Sequence, residues 1–292
     1  MNEERRRLLN RPILLAIPIL IGLLFTRSPL FMPSTSPSPA TPWADAPLKL
    51  ITTPQYETNK TDIFTTGATH MALLHNSIFR GYNSIYQQAP HVKDGDKSDF
   101  VGYALTWYKF VKSHHDDEEV SLFTKVEEVL DDETIWEETH KEHESFMPGL
   151  AQFGKYLTLL SSSKEFSGVE LRKIMESFQE PFERHFTNEI STIANFAKHP
   201  NAPKPGSKEE AEAALVFKAW GKSTVTKAGT LDVVPFFLLN LDGTVEDGMW
   251  ANWPPIPAPI KWGLINIGGA YHNRWWKFSS CAGGKPRQLY AI

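Results

Sequence analysis

The stretch HHDDEEVSLF, residues 114–123, places Glu118 four positions after His114, and His185 and Glu189 repeat that spacing further along the chain. Residues four apart on an α-helix lie about 40° apart around its axis, one turn along. Each histidine therefore points to the same side of its helix as its glutamate. Two such pairs on different helices can bring imidazoles and carboxylates to one site, a donor set that suits iron, zinc or manganese.

The hydrophobic pattern around these pairs predicts four amphipathic helices. Pro90 ends the first, Pro200 follows the fourth, and Pro148 and Pro181 should kink or break the third and fourth helices. Short connections between the last three favour antiparallel neighbours. The sequence thus predicts an all-α, up-down four-helix bundle. The four helices are expected over about 62–88, 99–130, 133–161 and 168–198.

The first and third predicted helices also carry histidines, so each of the four helices has at least one. His75 lies on the first predicted helix, and His140 and His143 lie on the third. A single histidine on an amphipathic helix is usually a surface residue, and the acidic run after His114 can be read as a solvated face. One histidine on each of four helices, two of them followed at four residues by glutamate, is poorly explained by four independent surface positions.

With these residues the sequence resembles the hemerythrin-like (HHE cation-binding) family, and specifically its fungal branch. The resemblance spans roughly residues 62–198. The second-helix pattern of the family departs at one point, since Thr124 stands where proline is usual. The matching residues are His75, His114, Glu118, Leu122, Phe123, His143, His185 and Glu189.

The resemblance implies a centre of two iron ions with dioxygen as a further ligand. It implies four histidine ligands and two bridging carboxylates, Glu118 and Glu189. A fifth nitrogen ligand is open between His115, which directly follows the second-helix histidine, and His140. His115 is preferred, because His140 and His143 are three apart where oxygen-carrying members have two histidines four apart. The four histidine ligands so implied are His75, His114, His143 and His185.

Three functions follow from this reading. The leading one is a non-haem di-iron protein that reacts with or senses dioxygen or iron. The second is a di-iron oxidase or oxygenase acting on a small organic, biosynthetic substrate, which would need a cavity that reaches the metals. The third is a helical interaction module that has lost its metals, which poor convergence of the histidines would support.

The N-terminus is typical of a targeting segment. Arginines 5–7 and Arg11 precede an apolar run from Pro12 to Phe25, which favours an uncleaved single-pass signal anchor in the secretory pathway. A cleaved signal peptide leading to secretion is the second possibility, and a mitochondrial presequence the third. The sequence therefore predicts four segments. They are an anchor or signal peptide over 1–31, a Pro/Ser/Thr-rich linker over 32–61, the bundle over 62–198, and a C-terminal region over 199–292, which holds a fifth helix and a wrap.

The C-terminal region divides at Gly229. Residues 207–228 predict a fifth helix capped by Ser207. Beyond it, proline, glycine and tryptophan dominate and no helical period remains. We expect an irregular, aromatic-rich wrap over the bundle, with short extended pieces at 236–239 and 261–267.

Composition excludes several classes of protein. The net charge is -4, and the chain has no basic stripe beyond its N-terminus, so a nucleic-acid partner is not expected. Cys281 is the single cysteine, which rules out a disulfide scaffold or a thiolate metal cluster within the chain. The expected partners are therefore dioxygen, a small organic substrate and, through the N-terminal segment, a membrane.

Overall fold

A computed structural model describes residues 43–292, and the expected N-terminal anchor lies outside them. No helix among these residues is long and apolar enough to cross a membrane. A π-helical turn, Glu118–Leu122, directly joins the helix that ends at Asp117 to the helix that begins at Phe123. The helices and strands are α1 Pro54–Thr58, α2 Ile63–Gln88, α3 Lys97–Asp117, α4 Phe123–Leu130, α5 Glu137–Thr158, α6 Gly168–Asn195, α7 Lys208–Ala228, α8 Val233–Leu238, α9 Ala258–Asn266, β1 Cys281–Ala282 and β2 Lys285–Pro286.

The predicted four-helix bundle is confirmed. Helices α2 and α5 each pack along α6, and α3 closes the bundle against α2 and α5. Helix α7 lies outside the bundle, along α2 and α3. Pro148 and Pro181 lie inside α5 and α6, and neither ends its helix.

Local sequence explains where the helices begin. The Asp62 carboxylate accepts a hydrogen bond from the Thr65 backbone N–H at the start of α2. Ser167 caps α6 in the same way, and Ser207 caps α7 as the sequence predicts. These side chains satisfy backbone N–H groups that have no partner within the helix. The caps fix the register of α2 and α6, two of the helices that carry histidines.

The bundle interior is apolar at both ends and polar between them. One buried cluster, which includes Phe146, Phe182 and Phe186, fills the end nearer α8. A second, which includes Phe123 and Ile190, fills the other end. The buried histidines and glutamates lie in the layer between these two clusters, where water is excluded on both sides.

The chain before α1 is held against the bundle. The Asn83 side chain donates to the carbonyl oxygens of Ala44 and Leu48 and accepts from the Leu48 N–H. Asn76 does the same for the N–H and carbonyl of Ile51. The described part of the expected linker, from Trp43 onward, is thus bound to α2 rather than free, and it contains α1.

The C-terminal region covers α2 and α3, as expected, but its regular pieces are helical. Carbonyl oxygens of this region accept hydrogen bonds from the Ser77 and Gln88 side chains of α2. The extended pieces expected at 236–239 and 261–267 were wrong, because α8 and α9 cover most of these residues. Pro259 lies in the first turn of α9, where the missing N–H has no helical partner to lose.

Candidate metal centre

Four side chains, each from a different element of the bundle, converge in the polar layer. His75 of α2, His114 of α3, Glu118 of the π-helical turn and Glu189 of α6 are all buried. One ligand atom from each lies within 4.8 Å of the others. The Nε2 atoms of His75 and His114 are 3.0 Å apart, and Glu118 Oε1 is 2.8 Å from His114 Nε2. The structure therefore brings together four of the residues that the sequence predicts as ligands.

A second pair of imidazoles lies beside this group. The Nε2 atoms of His143 on α5 and His185 on α6 are 3.1 Å apart, and both side chains are buried. Glu189 Oε2 is 4.0 Å from His185 Nε2 and 3.4 Å from His75 Nε2. Glu189 consequently stands between the two pairs of histidines, in the position of a carboxylate that could contact two ions.

The spacing of the imidazole nitrogens fits metal coordination. Two nitrogens bound to one ion at about 2.1 Å and at right angles to each other are about 3.0 Å apart. Both Nε2 pairs, His75 with His114 and His143 with His185, have nearly this separation. Each pair can therefore hold one ion, with Glu189 shared between them.

The carboxylates provide an independent test of whether a cation fits. Both side-chain oxygens of Glu189 are buried and have no hydrogen-bond partner. Burying an unpaired carboxylate is costly, and buried polar atoms normally have a partner. A divalent cation between these oxygens and the Nε2 atoms would satisfy both groups, so the residues present fit a metal centre.

Two of the four histidines donate a hydrogen bond from Nδ1 to an acceptor behind the ring, and a third has a carboxylate near its Nδ1. His75 Nδ1 donates to the carbonyl oxygen of Phe186 at 2.9 Å, and His143 Nδ1 donates to Glu119 Oε1 at 2.5 Å. His185 Nδ1 is 3.4 Å from Glu142 Oε2. An acceptor on Nδ1 places the proton there and leaves the Nε2 lone pair free for a metal. The outer contacts thus prepare the inward nitrogens as ligands.

The two outer carboxylates were not predicted from the sequence. Glu119 follows His115 by four residues, so it repeats the spacing of His114 and Glu118. The π-helical turn begins at Glu118, and such wide turns recur at functional sites. The repeated spacing could have identified Glu119. No local signal identifies Glu142, because it contacts His185 across two helices.

The two candidates for a fifth nitrogen ligand lie in different places. His115 stacks on His143, with ring centroids 4.1 Å apart, and forms a three-residue group with Glu119 and His143 that could hold an ion. The His140 side chain is 45% exposed, and its Nδ1 donates to Glu119 at 3.1 Å. Thr139, four positions before His143, is the inward residue of that turn. This arrangement favours His115 over His140.

Burial sets the protonation of the site. It lowers the pKa of His75, His143 and His185, and it lowers that of His114 to about 3. Burial also raises the pKa of Glu189 well above its ordinary value, and the neighbouring Glu118 raises it further. Burial therefore favours the neutral form of the imidazoles, which is the form that binds a metal, and it opposes ionisation of the carboxyls, which a bound cation would favour.

The cluster is closed on one side and open on the other. His75, His114 and Glu118, here called the sealed half, are covered by Phe186 and by Trp220 of α7, whose ring lies 5.9 Å from that of His114. His143 and His185, the open half, are backed by the partly exposed side chains of Glu119 and Glu142.

None of the ligand residues lines either of two concave features found in the described part of the chain. One is a surface groove of about 520 Å³ between residues 49–58 and the outer face of α6. The other is a cavity of about 10 Å³ beside Arg80. Neither feature provides a substrate-sized space at the candidate centre.

Comparison with known proteins agrees with this geometry. The family model of the hemerythrin HHE cation-binding domain matches residues 66–197 of the sequence. The chain is also similar to "Dimeric xanthone biosynthesis cluster protein R11" of Cryptosporiopsis sp. (strain 8999), at 30% identity over 260 residues, which is 86% of this chain and 93% of the relative. No solved structure matches the chain significantly.

Proposed function

The chain belongs to the hemerythrin HHE cation-binding family, and from this premise we propose that it holds two iron ions and reacts with or senses dioxygen. His75 and His114 would hold one ion, and His143 and His185 the other. Glu118 and Glu189 would supply the carboxylates, with Glu189 shared. His115 would complete the set as a fifth nitrogen ligand.

The observation that carries this proposal is the position of Glu189. Its side chain is 0% exposed, both of its oxygens lack a hydrogen-bond partner, and one of them lies between His75 Nε2 and His185 Nε2. A bundle that had lost its metals would have no reason to keep a buried carboxyl unpaired among four inward imidazoles. The convergence of the histidines therefore counts against the metal-free interaction module.

When bound, a pair of iron ions supplies a binding position and reducing electrons for dioxygen. The protein's own part is to fix the ligands and control the surroundings. Phe186 and Glu119 hold the rings of His75 and His143 through Nδ1, so both Nε2 atoms keep their orientation. The apolar clusters at both ends exclude water and strengthen the electrostatic interactions of the charged groups between them.

A second candidate function is oxidation of a small organic substrate. It is favoured by one relative, whose printed name assigns it to a biosynthesis cluster for dimeric xanthones. The burial of the ligands weighs against it, because neither the groove beside α6 nor the cavity beside Arg80 contains a ligand residue. A substrate for this reaction would have to approach from the open half.

We also retain the signal anchor as a proposal. It rests on the basic residues and the apolar run from Pro12 to Phe25, which are features of the sequence alone. A secreted protein after cleavage stays the alternative. Protease protection of the full chain in microsomes, with and without detergent, would separate an anchored chain from a released one.

The metal proposal is tested by loading the metal-free full chain with ferrous iron without air and then admitting air. We expect iron bound at two ions per chain and a change in the visible spectrum on exposure to air. A chain that binds iron but shows no spectral change would contradict the dioxygen reaction. A chain that binds no iron would contradict the metal centre itself.

A further inference from the structure

An ion that enters this centre has to pass a buried ligand set. The side chains of His75 and Glu189 are both 0% exposed, and His114 is 2% exposed. Trp220 lies against His114 on the outer side, and Phe186 lies against His75. Aromatic rings therefore cover the sealed half, which leaves the open half as the more accessible side for uptake.

The open half has metal-binding groups that reach solvent. The Glu119 side chain is 30% exposed, and its Oε1 accepts from His143 Nδ1 at 2.5 Å and from His140 Nδ1 at 3.1 Å. His115 lies on the same edge, stacked on His143. Ligand atoms of His115, Glu119 and His143 lie within 4.8 Å of one another, close enough to hold an ion.

These groups continue inward as a line of ligand atoms. From Glu119 the next group is His143, whose Nε2 is 3.1 Å from His185 Nε2, which in turn is 4.0 Å from Glu189 Oε2. The two contacts use opposite nitrogens of the His143 ring, so delivery of an ion requires this ring to turn between Glu119 and His185. The line begins at the exposed His140 and ends at the shared carboxylate.

The charge at this edge attracts cations. Residues 116–119 are four consecutive acidic residues, of which Glu118 is buried in the sealed half and the other three lie outside it. Asp116 and Asp117 each pair with a lysine, at 2.6 and 2.7 Å, whereas the partners of Glu119 among the described residues are imidazole rings. An imidazole ring can turn aside, so Glu119 can exchange these partners for an incoming ion.

We propose that Glu119 and His140 form an uptake site at this edge, which binds a ferrous ion transiently and delivers it past His115 and His143 to the centre. This inference rests on the proposed function, and it adds a binding site outside the two ion positions. His140, which is three positions from His143 and unsuited to the centre, acquires a role at the rim.

The test measures the rate of iron uptake by the metal-free full chain. Ferrous ion alone is added without air, and unbound iron is measured over time with a coloured ferrous chelator. Glu119→Gln is expected to slow uptake about tenfold and His140→Ala less, since the local charge and ligand number set the on-rate. His140→Ala should still reach the final iron content of the unchanged chain, because His140 is not a ligand of the centre.

His199→Ala is the matched control, because His199 is also a partly exposed histidine whose Nε2 contacts a carboxylate, Asp132, at 3.2 Å. It should take up iron at the unchanged rate. Circular dichroism of each variant verifies folding.

Four outcomes would overturn the uptake site. If both variants load at the unchanged rate, iron enters elsewhere. A lower final iron content in His140→Ala would make His140 a resident ligand rather than a transient one. If only Glu119→Gln slows uptake and His140→Ala does not, Glu119 acts by orienting His143. If the unchanged chain binds no iron, the proposed function fails and the uptake site fails with it.

Discussion

The sealed half and the open half of the cluster each bring two imidazoles to a separation of 3.0–3.1 Å, but they differ in what lies behind the rings. In the sealed half, His75 is backed by a buried carbonyl and His114 by the Trp220 ring. In the open half, His143 and His185 are backed by partly exposed carboxylates, Glu119 and Glu142.

The difference shows how one bundle can separate retention from exchange. Neutral, apolar surroundings exclude water and give a bound ion no route of release. Carboxylates near solvent attract an ion and raise the basicity of the imidazole they contact. We therefore expect an ion of the sealed half to be held more persistently than an ion of the open half.

The largest effect is expected where the two halves meet. Glu189→Gln removes the shared charge, so we expect the iron content to fall from two ions per chain to one or none. The same change should stabilise the metal-free chain, because glutamine has no carboxyl to ionise. Metal analysis and thermal unfolding with and without iron measure both effects.

Glu183→Gln is the control on the same helix, since Glu183 lines the outer groove and contacts no ligand residue. It should keep its iron. If Glu189→Gln also keeps two ions, Glu189 does not join the two halves.

The cover of the sealed half is tested by Trp220→Ala. Loss of this largely buried ring should cost about 3 kcal/mol of the free energy of unfolding and speed iron removal by a chelator. Leu215→Ala, at a position of α7 that is 63% exposed, should change neither quantity. Unchanged removal of iron from Trp220→Ala would mean that α7 does not seal the site.

The pH dependence of the metal-free chain tests the buried carboxyls of both halves. Glu118 and Glu189 have folded-state pKa values well above 4.5, so they stay protonated where the unfolded chain has lost those protons. The stability from these groups is complete below pH 4.5 and is lost as the pH rises towards the folded pKa, at up to about 1.4 kcal/mol per pH unit for each carboxyl.

The histidines act in the opposite direction below their ordinary pKa of 6.5, because their folded pKa values are lowered. Above pH 6.5 the histidines no longer change their charge, so the pH dependence of stability from these groups comes from the two carboxyls. We expect the Tm of the metal-free chain to fall from pH 6.5 upward, and the fall to be smaller in Glu189→Gln and with iron bound. A Tm that rises over this range would contradict the ionisation assigned to these carboxyls.

The smallest effect is expected at Glu142 in the open half. Glu142→Gln weakens the negative charge behind His185, so the affinity for one of the two ions should fall about tenfold. Glu138→Gln, an exposed position on the same helix, is the control. The affinity for each ion is measured by anaerobic titration. An equal fall in affinity for both ions would show that the open half does not bind its ion independently of the sealed half.

Much of the centre follows from helical spacing in the sequence. The pairs His114 with Glu118 and His185 with Glu189 need only the four-residue period, and His75 and His143 are single inward positions on their helices. Glu142 was missed because its contact with His185 depends on how α5 packs against α6. That distance is a property of the packed bundle, which no local pattern contains.

The C-terminal region shows the opposite limit. Its prolines indicate interruptions in a helical period, yet Pro259 lies in the first turn of α9 and Pro235 near the start of α8. Proline is tolerated at these positions, since a helix's first N–H groups have no partner within it. Composition predicted a wrap over the bundle, whereas its position on α2 and α3 and the short helices within it depend on contacts with the bundle.

The central claim, that two ions share Glu189 between the halves, is tested most directly by iron X-ray absorption of the loaded full chain. We predict that nitrogen and oxygen atoms, and no sulfur, bind the iron, and that the iron–iron distance is about 3.5 to 4 Å. That iron–iron signal should disappear in Glu189→Gln. An absorption spectrum that shows no iron–iron signal at full loading, or that keeps it in Glu189→Gln, would contradict the shared site.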